Sequence, residues 1–305
     1  MVSEEFARAV REEVEKMLPE DRKGATIWTE NILKDADRTL TGLCVREKGA
    51  SEYPRVYLED FEKALLYGQT FSSVMRDIMD ALEENRQMQQ LSNTARDVTR
   101  DPEEARRRVS YRILNYGRNI QNITTRPYRV QGEFVYVYSL TLGNGGRIPI
   151  DKNLADKLDL KEPELYELAR KNSPVVTPAE VLTIGQALGF PGQHPDDMMV
   201  ISNTEHADGA VAVLYPEVDA QLRERFGGDY YVLPSSVHEV LAVPREPERL
   251  QALEEMVRSV NASGAMRHED YLSDHVFEVR DGQLTRAMPE RVAEKTVPVR
   301  NDPER

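Results

Sequence analysis

The order of apolar runs in the last third of the chain constrains the fold most. Between Met198 and Val260, strand-like runs and amphipathic helical segments follow each other twice in the same order. The first set is MMVISN, AVAVLY and a helix opened by Pro216; the second is YYVLP, EVLAV and a helix opened near Pro247. This order predicts two consecutive β-β-α units. Because the strands are almost continuously apolar, helices should cover at least part of both faces of their sheet.

An α-β-β-β order is predicted for the start of the chain. Ser3 is a favourable N-cap, and Glu4 and Glu5 place carboxylates at the positive end of the helix dipole. Three strand-like runs follow, namely ATIWTENIL, RTLTGLCVRE and PRVYLED, which lie close enough in sequence to pair antiparallel. An amphipathic helix capped by Thr70 completes an N-terminal α+β lobe, for which we predict the boundaries 1–95.

An arginine-rich linking helix is predicted for residues 96–130. Asp101, Pro102 and Glu104 match the N-cap, first-position proline and third-position acid of a helix start, and Val109 and Ile113 should face inward. Residues 131–287 should then form a C-terminal α+β lobe whose mostly antiparallel sheet contains the two β-β-α units. EFVYVYSLTL and RIPI, joined by GNGG, predict a hairpin in this lobe, and HVFEVRDGQLTRA predicts a final hairpin around Asp281-Gly282. The proline-containing segment 173–197 is predicted to be mostly loop, and the charged segment 288–305 a disordered tail. The fold class is therefore α+β.

Composition excludes several classes of protein. The net charge of −13 disfavours bulk affinity for nucleic acid or anionic lipid, because phosphate binding depends on the density of cations. The single cysteine, Cys44, cannot form an intramolecular disulfide and sits in an apolar run typical of a buried thiol. No apolar run approaches the ~20 residues of a membrane-spanning helix, and no signal-peptide pattern is present. We therefore expect a cytoplasmic protein without a membrane partner.

The sharpest local constellation of reactive side chains is in LPSSVHEV. Ser235, Ser236, His238 and Glu239 have the types needed for a nucleophile, a base and an orienting group. On a strand, however, His238 and Glu239 would point to opposite faces. A tight turn, in which the serines bond to the local backbone, is the favoured interpretation, with ligand binding as an intermediate possibility. Elsewhere the sequence contains no Walker, dinucleotide, nucleophile-elbow or zinc-protease motif, so no cofactor is predicted.

The other histidines are scattered beside acidic residues, as imidazole–carboxylate metal ligands are. No two of them are spaced to share one face of a helix, so they are predicted to be exposed turn residues, and no metal site is predicted. These residues are His194, His206, His268 and His275.

A cluster of arginines interrupts the acidic chain. Eight arginines, three acids and no lysine lie between Arg100 and Arg129, which gives this stretch a net charge of +5. Arginine without lysine is typical of bidentate recognition of carboxylate or phosphate. An internal or protein-facing role is favoured over nucleic-acid binding, which the interleaved tyrosines would also suit. The candidate binding residues are Arg106, Arg107, Arg108, Arg112 and Arg118.

Several blocks of the sequence together resemble a known family. YYVLPSSVHEV is the most specific, and VYLEDFEKALLYGQTFSSVMRDI, LNYGRNIQNITTRPYR, PELYELARKNSP and LSDHVFEV add to it along most of the chain. They resemble an uncharacterised family of intracellular bacterial proteins, common in anaerobic gut bacteria and known as a domain of unknown function. The resemblance implies a globular protein of the bacterial cytoplasm. It supplies no substrate, cofactor or catalytic residue.

Three functional hypotheses follow. The leading one is a non-enzymatic interaction or regulatory protein that binds a partner protein through the arginine-rich segment or the surface around Ser236 and His238. The second is a hydrolase or transferase that uses Ser235 or Ser236 with His238. The third is a nucleic-acid binder that uses Arg106, Arg107 and Arg108.

Overall fold

Three antiparallel sheets with helices packed on them organise the chain, which confirms the α+β class. The computed structural model describes residues 1–50, 53–90, 98–142, 146–189, 198–264 and 267–289. The predicted disordered tail therefore lies outside the described residues from position 290 onward, as does His194. Within the described ranges, no helix is both long enough and apolar enough to cross a membrane.

The N-terminal lobe has the predicted α-β-β-β opening, and its three strands pair in the order β1-β2-β3. The Ser3 side chain accepts a hydrogen bond from the backbone N–H of Phe6, as expected of an N-cap. Val10 of the first helix packs with Leu43 of the sheet and Ile78 of the third helix in a core of its own. The elements are α1 (Glu4–Met17), β1 (Thr26–Leu33), β2 (Thr39–Arg46), β3 (Arg55–Tyr57), α2 (Glu59–Leu66) and α3 (Phe71–Gln90).

The second sheet is built around one fully buried strand, β6, which pairs with the three other strands of this sheet. The hairpin that joins β6 to β7 was predicted from the sequence and is confirmed. The elements are α4 (Pro102–Arg107), β4 (Val109–Asn115), β5 (Tyr128–Gln131), β6 (Phe134–Thr141), β7 (Arg147–Pro149), α5 (Lys152–Lys157) and α6 (Glu162–Val176).

The prediction of an arginine-rich linking helix over residues 96–130 is wrong beyond its first turns. Asp101 does cap a helix, since its side chain accepts hydrogen bonds from the N–H groups of Glu103 and Glu104. That helix ends at Arg107, and Val109–Asn115 is a strand that pairs with β6 over seven residues. Both ladders of the buried β6 must be satisfied, and the β-branched and aromatic residues of this stretch suit a strand.

The third sheet has six strands in the order β13-β12-β10-β11-β9-β8. The second β-β-α unit and the closing hairpin were predicted and are confirmed. The elements are β8 (Ala179–Thr183), α7 (Ile184–Ala187), β9 (Met199–Asn203), a 3₁₀ helix (Gly209–Leu214), α8 (Pro216–Phe226), β10 (Tyr230–Leu233), β11 (Val240–Pro244), α9 (Leu250–Ala262), β12 (Phe277–Arg280) and β13 (Gln283–Arg286). Shorter 3₁₀ turns are Glu20–Arg22, Asp35–Asp37, Asn122–Thr125, Pro247–Arg249 and His268–Asp270.

Apolar side chains cover both faces of this third sheet, as its continuous hydrophobicity predicts. Tyr231 and Val243 face α9 in one cluster, whereas Val232 and Ala242 join the core shared with the second sheet. The alternation follows from the two-residue period of a strand. The second and third sheets are therefore joined by one core, which is separate from that of the N-terminal lobe.

The prediction of the first β-β-α unit is wrong for its second strand. Residues Gly209–Leu214 form a fully buried 3₁₀ helix instead. Strand β9 already pairs with β8 on one side and with β11 on the other, so no free edge remains for another strand. Strand β8 itself lies in the segment predicted to be mostly loop. The small side chains of the 3₁₀ helix allow it to pack against β9 and β4.

Gly209 begins the 3₁₀ helix where its backbone lies against β9 and the His238 turn, and this close approach predicts the effect of a substitution. A Cβ atom at position 209 would lie 2.4 Å from Ser202 Oγ, 2.5 Å from the Asn203 nitrogen and 2.7 Å from the His238 oxygen. Two of these are backbone atoms that cannot move independently. Gly209→Ala should therefore lower the free energy of unfolding by about 3 kcal/mol or more, measured by urea denaturation.

Gly228→Ala is the matched control, because a Cβ atom there would meet nothing within 4 Å. Its free energy of unfolding should stay within about 0.5 kcal/mol of the wild type. Equal stabilities for the two variants would contradict the packing described for the 3₁₀ helix.

Candidate functional site

The turn that carries Ser235, Ser236, His238 and Glu239 connects β10 to β11 and is held from both sides. On one side, Val237 N–H donates to the Asp270 carbonyl at 2.8 Å. On the other, the N–H groups of Gly209 and Ala210 donate to the carbonyls of His238 and Val237, each at 3.1 Å. The turn is therefore fixed between the 3₁₀ helix and the segment before β12, at a partly exposed position.

Both ring nitrogens of His238 have partners. Nδ1 accepts the backbone N–H of Asp208 at 3.2 Å, and Nε2 lies 3.1 Å from Asp270 Oδ1. Because Nδ1 is an acceptor, the proton of the neutral ring lies on Nε2 and is donated to Asp270. The Ser236 hydroxyl accepts the backbone N–H of His238, not a bond from the ring, and Glu239 is exposed. The four candidates are thus neighbours without the contacts of a nucleophile, base and orienting group.

The candidate arginines are divided among three places along β4. Arg106 donates to the Asp159 carbonyl at 3.3 Å, and Arg108 Nε lies 2.6 Å from Glu104. Arg107 is 74% exposed. These three precede the strand, Arg112 lies within it, and Arg118 follows it. A seven-residue strand spans about 20 Å, so the arginines do not form one continuous surface.

A network of four charged side chains joins the N-terminal lobe to the other two sheets. The Arg112 guanidinium lies between two carboxylates, with Nη2 at 2.6 Å from Asp35 Oδ2 and Nη1 at 3.1 Å from Asp208 Oδ1. Asp208 Oδ2 also accepts a hydrogen bond from Arg147 Nη1 at 2.5 Å. We call Asp35, Arg112, Arg147 and Asp208 the junction network. Asp35 comes from the β1–β2 turn, so the network crosses between lobes.

Backbone contacts reinforce this junction. The N–H of Ala36 donates to Asn119 Oδ1 at 2.8 Å. The Asp37 carboxylate accepts the N–H groups of Gln121 and Asn122 at 3.0 and 2.7 Å. Ala36 and Asp37 both have positive φ angles, which non-glycine residues rarely adopt without compensating contacts. The β1–β2 turn is therefore shaped by its contact with the segment that follows β4.

The junction network sets the ionisation of its central acid. Burial alone would raise the pKa of the Asp208 carboxyl, but the nearby Arg112 and Arg147 guanidiniums hold that pKa below its ordinary value. Asp208 is consequently an anion whose two carboxylate oxygens are paired with Arg112 and Arg147. A groove of about 250 Å³ beside it is lined by further side chains that are already paired: Arg38 with Glu269 in a salt bridge, and His238 with Asp270 through the Nε2 hydrogen bond. Paired charges leave little field for a ligand.

A second cavity, of about 300 Å³, has a different charge balance. Arg118 follows β4, and its guanidinium stacks on the Tyr271 ring at 3.6 Å from the ring centre. Arg118 Nη1 also donates to the His268 carbonyl at 3.3 Å. Two more arginines line the same space, one on α9 and one just before the His268 turn. We call this cavity the arginine cleft; its lining is Arg118, Arg258, Asn261, Ala262, Arg267, His268, Tyr271 and Asp274.

The cations of the arginine cleft are only partly neutralised. Arg258 Nη2 lies 3.8 Å from Glu254 Oε2. The other oxygen of that carboxylate lies 3.7 Å from His275 Nδ1 and 3.6 Å from Arg286 Nη2. Among the described residues Arg267 forms no ion pair within 4 Å; its charge acts at longer range on Glu269, whose carboxylate is paired with Arg38 and whose pKa lies below its ordinary value. Within the lining, the only acid is Asp274. The cleft therefore keeps a local positive charge on an acidic protein.

Asn261, Tyr271 and Asp274 line the cleft together with the arginines. Asn261 Nδ2 donates to Asp274 Oδ1 at 2.7 Å, which holds that carboxylate in place. Burial raises the pKa of Tyr271 to about 12, and the charge of Asp274 and a hydrogen bond to it act in the same direction. The Tyr271 hydroxyl is therefore neutral at physiological pH, and the ring serves as a flat support for Arg118.

Sequence reasoning identified Arg118 but missed the rest of the cleft. Arg258, Arg267 and Tyr271 lie about 150 residues further along the chain, and no spacing pattern connects them to Arg118. The sequence marks His268 only as one of several histidines beside an acid, Glu269. Among the described residues, no three histidine, cysteine or acidic side chains converge as metal ligands.

Comparison with known proteins identifies a family but no activity. The model of a family of unknown function, DUF5688, matches residues 3–280, so the chain belongs to that family. This confirms the predicted membership of an uncharacterised family. Neither the curated proteins nor the solved structures contain a match to the chain.

Removal of the central cation of the junction network should destabilise the protein. Arg112→Met keeps an unbranched apolar stem but removes the guanidinium, which leaves Asp35 without its cation and Asp208 with one cation fewer. We expect the free energy of unfolding to fall by about 2–3 kcal/mol. This is less than the loss of a fully buried ion pair, because the three side chains are 18–26% exposed. Urea denaturation measures it. Arg107→Met, at an exposed arginine, should cost under about 0.5 kcal/mol, and equal losses would contradict the role of the network.

Asp208 also predicts a specific response to acid. A carboxyl whose pKa is lower in the folded than in the unfolded state adds stability above its unfolded pKa, and this stability is lost as the pH falls toward the folded pKa. The stability difference between wild type and Asp208→Asn should therefore be largest near pH 7 and shrink below about pH 4. Urea denaturation at several pH values measures it. Asp60→Asn, at a 92% exposed acid, should show little difference at any pH; an equal response would refute the assignment.

Proposed function

We propose that this DUF5688 protein is a non-enzymatic binding protein that recognises an acidic group of a partner protein in the arginine cleft. The observation that carries the proposal is the convergence of three arginines on one concave cavity in a chain of net charge −13. Guanidinium groups recognise carboxylates and phosphates through paired, directional hydrogen bonds.

Preorganisation of Arg118 supports a binding role. Its guanidinium is fixed by the Tyr271 ring beneath it and by the His268 carbonyl at its edge. A side chain that is already ordered loses less conformational entropy when it binds, so more of the interaction energy appears as affinity. Exposed arginines such as Arg107 lack this support.

The enzymatic alternative receives less support from the geometry. A serine nucleophile at position 235 or 236 would need an unprotonated ring nitrogen of His238 within hydrogen-bond reach. The acceptor nitrogen is bonded to the backbone of Asp208 and the other is directed to Asp270. A hydrolase or transferase reaction would require one of these contacts to break first.

Nucleic acid is also a less favoured partner. The arginines proposed for it, Arg106, Arg107 and Arg108, are few, and Arg108 is paired with Glu104. A polyanion would extend beyond any local cation cluster onto an acidic surface and be repelled there. A single acidic group on a protein partner can enter the cleft without that penalty. Filter binding over a salt series would detect nucleic acid by a steep loss of affinity between low and physiological salt.

Charge reversal in the cleft provides the test. The double variant Arg118→Glu, Arg258→Glu should capture at least about tenfold less of each protein that the wild type captures, as measured by affinity capture and mass spectrometry. The physical reason is that two guanidiniums become carboxylates, which repel the acidic group. Thermal unfolding of the variant verifies that it is folded.

The matched control is Arg106→Glu, Arg107→Glu, which makes the same change in net charge about 20 Å or more from Arg118. It should retain the partners of the wild type. The proposal is rejected when the cleft variant keeps its partners or when the control alone loses them. The second result would favour the surface at Arg106–Arg108 instead.

A further inference from the structure

We infer that the acidic group recognised in the arginine cleft is a phosphate monoester, carried on a side chain of the partner protein. This inference rests on the proposed function and specifies the chemistry of the same site. It follows from the charge, the donor groups and the shape of the cavity.

The charge of the cleft matches a dianion better than a monoanion. Arg118, Arg258 and Arg267 contribute three positive charges to the lining, and Asp274 contributes one negative charge. Glu254 lies outside the lining, 3.8 Å from Arg258 and 3.6 Å from Arg286, so it neutralises Arg258 only in part. The remaining charge of about two is the charge that a phosphate monoester carries near pH 7, whereas a carboxylate carries one.

The donor groups also fit phosphate. Arg118 commits one N–H to the His268 carbonyl, which leaves the rest of its guanidinium to donate. Arg258 lines the cavity from α9 and Arg267 from the residue before the His268–Asp270 turn, so the three arginines belong to three separate segments. Several guanidiniums can share the three free oxygens of a phosphate monoester, whereas one planar carboxylate is satisfied by a single bidentate guanidinium.

Asp274 favours a phosphate carried on a peptide over free inorganic phosphate. Its carboxylate shares the cavity and repels a second anion, but it can accept an N–H or O–H from the group that carries the phosphate. A peptide has such donors in its backbone amides. The cavity of about 300 Å³ is also at the size of a small-ligand pocket, larger than one phosphate needs.

A titration with defined probes tests the inference. The protein of residues 1–305, labelled with ¹⁵N, is titrated at pH 7.5 with acetyl-Gly-phosphoserine-Gly-amide, and arginine side-chain and backbone signals are followed by NMR. The control probes are the same peptide with glutamate, the same peptide with the phosphate capped as a methyl diester, and inorganic phosphate. We expect the phosphoserine peptide to bind at least about tenfold more tightly than each control, with shifts at the cleft. Arg118→Glu, Arg258→Glu should abolish binding, and Arg106→Glu, Arg107→Glu should preserve it.

The possible results separate the two proposals. Equal affinity for the glutamate or diester peptide overturns the phosphate inference and leaves recognition of an acidic partner intact. Equal affinity for inorganic phosphate supports the phosphate chemistry but overturns a protein partner as its source. The absence of cleft signals with every probe overturns both.

Discussion

The pairing of Arg112 with Asp35 and Asp208 is the interaction on which the rest of the structure depends. It joins a turn of the N-terminal lobe to a strand of the second sheet and to the loop before the 3₁₀ helix. Asp208 has a left-handed backbone, donates its N–H to His238 and leads directly into Gly209. The salt-bridged Asp208 therefore belongs to the segment whose backbone N–H groups hold the Ser235–Glu239 turn.

The same chain of contacts reaches the arginine cleft. The His238 turn lies against Asp270 through its ring and through the backbone of Val237. Asp270 is followed by Tyr271, which supports Arg118 from below. The arginines of the junction network and those of the arginine cleft therefore have different electrostatic surroundings. Those at the junction are neutralised by partly buried carboxylates and serve stability, whereas those in the cleft have fewer acids nearby.

Local patterns predicted much of the architecture because short-range physics decides it. The capped helix α1, the β1–β2–β3 meander, the β10–β11–α9 unit and the closing hairpin each combine a clear period with turn or cap residues. The failures have one cause in common. Val109–Asn115 forms a strand because an edge of β6 is available to pair with it. Gly209–Leu214 does not, because both edges of β9 are already paired with β8 and β11. Strand β8 was missed for the same reason. A distant partner therefore outweighed local preference.

The sequence by itself determined the α+β class, the acidic charge, the family, and the presence of arginines concentrated around β4. It could not determine which arginines would be neutralised. Asp208 lies 96 residues from Arg112, and Arg258 and Tyr271 lie still further from Arg118. Charge interactions depend on distance in space and on burial, and both are set only when the lobes and sheets pack. Tertiary structure alone therefore decided that Arg112 became a structural cation and Arg118 part of a candidate binding cleft.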